Sequence, residues 1–269
     1  MLYGAMNFPI RPLLRELEEI GKLGFDYLEL TMDPPEAHHR MIFQKRKALL
    51  NGLDRFHMGL ICHLPTFVYT ADLTETLREA SLKETLASLD VAAELRPLKV
   101  VVHPSYIGGL GFLVMDRSRQ YAQRSLDAIV ERAKDLELPL CIENLFPISH
   151  SLVNPEDFVE VFDTFPMLKL TLDIGHAYIG ENGSENTLDF IERFSDRIYH
   201  IHASDNFGKG DDHLPVGTGV IDFPKIVKAL ADIGYNDTVT FEVFSRDRDY
   251  LRISREKFIA MLMNQSGEP

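Results

Sequence analysis

The chain has 269 residues, 45% hydrophobic and 26% charged, enough to bury the core of one α/β domain spanning 1–269. A net charge of −13 argues against a nucleic-acid partner held through long-range attraction to phosphates. No run of about 18 apolar residues is present to span a bilayer. Residues 1–12 lack the basic-then-apolar order of a secretion signal, so the expectation is a soluble cytoplasmic protein without a membrane partner.

In chain order, eight short apolar runs read as strands: 2–6, 27–31, 60–63, 99–103, 140–143, 169–173, 198–202 and 239–242. Helical periodicity follows at 13–23, 74–95, 119–136, 155–165, 187–194 and 224–233. Two helix starts are marked by side chains. Asp72 and Glu75 have capping-box spacing, and Asn154 stands before Pro155 at a first-turn position. Strand–helix alternation without a linker or composition break predicts a single (β/α)8 TIM barrel rather than a doubly wound sheet with a second domain. Cys62 and Cys141 fall inside strand runs with no CxxC pairing, which predicts buried free thiols.

The ends of the strands carry the chemistry, because side chains at the C-terminal rim of this barrel converge. Six of the eight runs finish on a candidate ligand: His63, His103, Glu143, Asp173, His202 and Glu242. A single such residue is an ordinary hydrogen-bonded rim group. Three carboxylates meeting near one axis are costly without a counter-charge, and a divalent cation supplies it. Mixed imidazole and carboxylate donors suit Zn, Mn, Co or Fe better than Ca. His176, three residues after Asp173, and the loop pair Asp211 and His213 extend the set. Pro215, Gly217 and Gly219 give that loop a defined shape, which suits a lid or a ligand-bearing segment.

Taken in order, VVHPS, IEN, LDIGHA, HIHASDN, DDHLPVGTGVIDF and FEVF resemble the xylose isomerase-like TIM barrel superfamily over nearly the whole chain. That superfamily holds sugar and sugar-phosphate isomerases and epimerases together with endonuclease IV-type AP endonucleases. In the first branch, the resemblance implies one catalytic metal on Glu143, Asp173, His202 and Glu242. Glu143 and Glu242 would remove and return a proton through a metal-stabilised enediolate. In the second branch, it implies three zinc ions on all nine residues: His63, His103, Glu143, Asp173, His176, His202, Asp211, His213 and Glu242.

The sequence departs from the nuclease pattern where NLFPISHSLV follows Glu143, where DIGHAY replaces DTCHA, and where GTG replaces GEG. The compact basic run Lys45-Arg46-Lys47 lies in a helical pattern, and the first loop carries only Arg11, so a DNA-gripping rim is not legible. Phe8, Phe67, Tyr69, Tyr106 and Phe146 sit in rim loops and offer apolar walls for a small polyol. Lys209, Arg246 and the Gly108-Gly109 turn are candidate anchors for a phosphorylated substrate. The expected function is therefore a metal-dependent isomerase or epimerase of a carbohydrate, using one to three Zn, Mn or Co ions, with a homodimer as a candidate assembly. A three-zinc AP endonuclease and a non-catalytic sugar-binding barrel are the alternatives.

Overall fold

A computed structural model describes residues 1–266. Eight parallel strands close into a barrel in sequence order: β1 Leu2–Met6, β2 Tyr27–Thr31, β3 Gly59–His63, β4 Val100–Val102, β5 Leu140–Glu143, β6 Lys169–Asp173, β7 Ile198–Ala203 and β8 Thr238–Phe241. β1 pairs with both β2 and β8, so the sheet has no free edge. The helices are α1 Leu13–Lys22, α2 His39–Phe56, α3 Glu75–Leu95, α4 Met115–Asp135, α5 Pro155–Thr164, α6 Ile174–Tyr178, α7 Gly183–Arg193, α8 Phe223–Asp232 and α9 Asp249–Ser266. No helix among them is long and apolar enough to cross a membrane.

Each strand before a helix supplies apolar residues to the layer between sheet and helices, and the helices answer with a stripe. In α1, Leu13, Leu17 and Ile20 recur on one face and are buried. Phe158 of α5 packs edge-on against Phe190 of α7 at 5.4 Å, and Phe162 against Phe194 at 5.1 Å. Cys62 and Cys141 are buried free thiols, and burial lifts the Cys141 thiol to about 12, so both act as small hydrophobes.

Several boundaries differ from expectation for local reasons. β4 stops at Val102, because Pro104 has no N–H to extend the ladder, and His103 lies just past it. β8 stops at Phe241, although the Glu242 amide still donates to Ala203 O at 3.3 Å. The capping box expected from Asp72 and Glu75 does not form: Thr74 is the residue before α3, and Asp72 Oδ1 accepts from its amide at 2.6 Å. The Asn154 box does form, with Asp157 Oδ2 accepting from the Asn154 amide at 2.9 Å. α4 begins four residues before 119 because a 3₁₀ turn at Gly111–Val114 feeds into it. α7 begins at Gly183, where a Cβ would lie 1.8 Å from Tyr178 O.

The inside of the barrel is polar at its centre. Tyr27 Oη meets Thr240 Oγ1 at 2.8 Å, and Glu29 and His200 are both fully buried between them and the mouth. At the opposite end, Lys99 Nζ pairs with Asp237 Oδ1 at 2.9 Å. The polar centre leads directly to the ring of side chains at the C-terminal rim.

Candidate functional site

All nine sequence-predicted residues meet at the C-terminal mouth. Glu143 stands at the hub. Its Oε2 lies 3.2 Å from His63 Nε2 and 3.2 Å from His103 Nε2, while its Oε1 lies 3.2 Å from His176 Nδ1 and 3.4 Å from His202 Nδ1. His202 Nδ1 is also 3.1 Å from Glu242 Oε1 and 3.6 Å from Asp173 Oδ2. The loop residues close the ring. Asp211 Oδ2 lies 3.2 Å from His176 Nε2 and 2.8 Å from His213 Nε2, and His213 Nδ1 lies 3.5 Å from Glu242 Oε2.

Backbone geometry places these groups. His63, Glu143 and Asp173 are the last residues of β3, β5 and β6, and His202 faces Asp173 in the β6–β7 register. Asp173 also caps α6, its Oδ1 accepting the His176 amide at 2.6 Å, which turns the His176 ring inward. Asn144 braces the same turn, exchanging hydrogen bonds with the Asp173 backbone at 2.8 and 3.0 Å and accepting from His176 Nδ1 at 3.0 Å.

The loop bearing Asp211 and His213 is organised by Asp205. Its Oδ2 accepts the amides of Gly217, Thr218 and Gly219 at 2.9–3.0 Å, and its Oδ1 accepts that of Ile221 at 3.1 Å. At Gly219 a Cβ would stand 2.2 Å from Asn206 O, so the backbone passes where no side chain fits. The loop's shape is thus built in, as its glycines suggest.

Burial alone pushes carboxyls up and imidazoles down. At Glu143 burial is outweighed by His103 and His202, and the carboxyl titrates well below its ordinary range. At Glu242 burial is reinforced by the negative charges of Asp173 and Glu143 against His202 and His213, lifting it to about 7. His202 and His176 are held well above the usual imidazole value despite burial, His202 mainly by Glu242 and Glu29, His176 mainly by Asp173 and Asp211. His63 and His213 rise to about 9, where Glu143 and Asp211 respectively overcome burial. Burial keeps His103 below its ordinary value. Excess carboxylate charge therefore retains protons on the ring nitrogens, and a divalent cation would meet the same carboxylates while releasing them.

The donors fit such an ion. With metal–ligand lengths of about 2.0–2.2 Å, donors around one cation stand roughly 3–3.5 Å apart, as most of these do. Asp173 Oδ2, His202 Nδ1, Asp211 Oδ1 and His213 Nδ1 are buried and make no hydrogen bond, and Asp173 Oδ2, His202 Nδ1 and His213 Nδ1 each face another member of the cluster. Glu143, Asp173 and His202 form one compact donor group, and His63, His103 and Glu143 a second.

Other expectations are placed differently. Phe146 lies 4.9 Å from the His176 ring, and Phe8 stacks at 5.2 Å on Phe244, which itself sits 4.6 Å from His213. Tyr69 and Tyr106 pack edge-on at 6.2 Å, and Phe67 is exposed. Lys209, Arg246, Gly108 and Gly109 are exposed. Arg11 is tied to Glu16 at 2.7 Å and Glu19 at 2.9 Å, and Lys45-Arg46-Lys47 lies on the outer helix α2. Glu29, Asn144 and Asp205 do not stand out in the sequence as site residues, yet each holds a residue or loop of the cluster.

Residues 17–261 match the model of the xylose isomerase-like TIM barrel family. An uncharacterised protein of Methanocaldococcus jannaschii is 29% identical over 96% of this chain and 92% of its own length. The fructoselysine 3-epimerase of Escherichia coli O157:H7 is 24% identical over 96% of each chain. Among solved structures, a D-tagatose 3-epimerase-like protein superposes with a TM-score of 0.87, at 27% identity, over 99% of this chain and 98% of that one.

Proposed function

The chain belongs to the xylose isomerase-like TIM barrel family, and from that premise we propose that it is a divalent-cation-dependent sugar epimerase inverting the carbon next to a ketose carbonyl. The observation that carries this is the pairing of Glu143 and Glu242. They arise three strands apart around the barrel, from β5 and from just past the end of β8, yet each brings an oxygen within 3.4 Å of the same atom, His202 Nδ1.

Two carboxylates approaching one point from different walls can serve the two faces of a flat intermediate. One glutamate takes the proton from the carbon beside the carbonyl, and the C–H electron pair moves onto the carbonyl oxygen. The other returns a proton to the opposite face, the carbonyl re-forms, and the hydroxyl-bearing carbon is inverted with no net gain or loss of atoms. A divalent cation held by Glu143, Asp173, His202 and Glu242 would supply electrophilic stabilisation of the charge that builds on that oxygen. Phe146 beside His176 and the Phe8–Phe244 stack beside His213 flank the mouth and would offer apolar walls to a bound sugar.

Protein loaded with Mn²⁺ or Co²⁺ is expected to interconvert D-fructose and D-psicose, or to act on D-tagatose, with one deuterium appearing at the inverted carbon in D₂O. Absence of both conversion and exchange across ketoses, including fructoselysine, overturns the proposal.

One observation favours a second reading, zinc-dependent phosphodiester hydrolysis: the cluster holds all nine residues, with two compact donor groups sharing Glu143. The −13 charge and the sparse cations of the rim weigh against a DNA duplex there. Incision of a duplex with one abasic site separates the two readings, and none is expected.

A further inference from the structure

The barrel interior holds a buried carboxylate that the proposed reaction does not use. Glu29, in the middle of β2, is fully buried, and its two oxygens are divided between two imidazoles. Oε1 lies 3.0 Å from His202 Nε2, and Oε2 lies 2.9 Å from His200 Nε2. A carboxylate only accepts, so both Nε2 atoms carry the hydrogen. His200 Nδ1 is then left to accept from the Thr238 hydroxyl at 2.7 Å, which fixes that ring in turn.

For His202 the consequence is specific. With Nε2 committed to Glu29, Nδ1 is the atom that faces the mouth and that would offer its lone pair to a cation once the proton held there is released. It lies 3.1 Å from Glu242, 3.4 Å from Glu143 and 3.6 Å from Asp173, buried and without a hydrogen bond to any of them. A buried carboxylate facing two imidazole N–H groups is an expensive choice, since a neutral amide of the same shape would satisfy one of them without a charge to desolvate. The charge itself therefore has a use, which is to polarise the ring whose other nitrogen faces the site.

We propose that Glu29 is a positioning residue for the cation site. It locks His202 with its Nδ1 lone pair toward a divalent ion and strengthens that donor, while His200 and Thr238 hold Glu29 in place. This rests on the reading of the mouth as a cation site, and the ions it concerns are those favouring mixed nitrogen and oxygen donors, such as Mn²⁺, Co²⁺ and Zn²⁺.

Glu29→Gln keeps the shape and an acceptor while removing the charge. Titrated with Co²⁺ alone against a chelating dye, the variant is expected to bind about 10–100-fold more weakly than the unaltered chain. The visible spectrum of its bound Co²⁺ should also shift. Tight Co²⁺ binding by both proteins with the same spectrum overturns the inference alone. Failure of the unaltered chain to bind Co²⁺ overturns the cation reading and the inference together. A measurement independent of any variant is the nitrogen spectrum of ¹⁵N-histidine-labelled, Zn²⁺-loaded protein, where His202 is expected to carry its proton on Nε2. A proton on Nδ1 rules the proposal out.

Discussion

Replacing Glu143 or Glu242 by glutamine is expected to lower kcat for ketose epimerisation at least about 10³-fold, the upper range for removing a positioned acid or base. Each substitution leaves a side chain of the same size, so the 1% and 5% exposed positions should stay packed. The two variants should differ in what survives. With one carboxylate left, the substrate epimer whose proton faces it can still be deprotonated and reprotonated from the same side. Each variant should then exchange deuterium from solvent into one epimer without inverting it, and the favoured epimer should switch between them. Epimerisation at the unaltered rate in either variant, measured at equal metal occupancy, contradicts the assignment.

Removing the cation is expected to cost both activity and stability. Glu143, Asp173 and Glu242 are buried within one cluster, where without a divalent ion their charge is met by imidazoles such as His202. An ion that binds the folded chain and not the unfolded one stabilises by about 2.7 kcal/mol at 100 times its Kd. For a chain of this size that corresponds to a fall in Tm of roughly 5–10 °C on chelation. Turnover should drop to background with chelator and return when Mn²⁺ or Co²⁺ is restored. A Tm and a rate that both ignore the chelator contradict a cation in this role.

The barrel was legible because each strand is a short apolar run closed by a polar residue, and β1, β2, β5 and β6 match their expected spans to the residue. The mouth was legible for the same reason: a ligand that ends an apolar strand announces itself. The misses have physical causes. Glu29 sits inside YLELT, and a charge in a strand buried along its whole length reads as interrupted hydrophobicity until the partner imidazoles, 171 and 173 residues away, are brought to it. Asp205 looks like a solvated turn in SDN, because its role is to accept amides 12 to 16 residues downstream. Asp72 has the spacing of a helix cap, but Thr74 takes that place and Asp72 turns the chain before it.

Each of these outcomes requires that the strand ends share a divalent ion. Anomalous scattering from crystals equilibrated with saturating Mn²⁺ tests it most directly. The expected result is a peak enclosed by Glu143, Asp173, His202 and Glu242 that vanishes when Asp173→Asn and His202→Gln are combined. A map with no peak among those four side chains in the unaltered protein would contradict it.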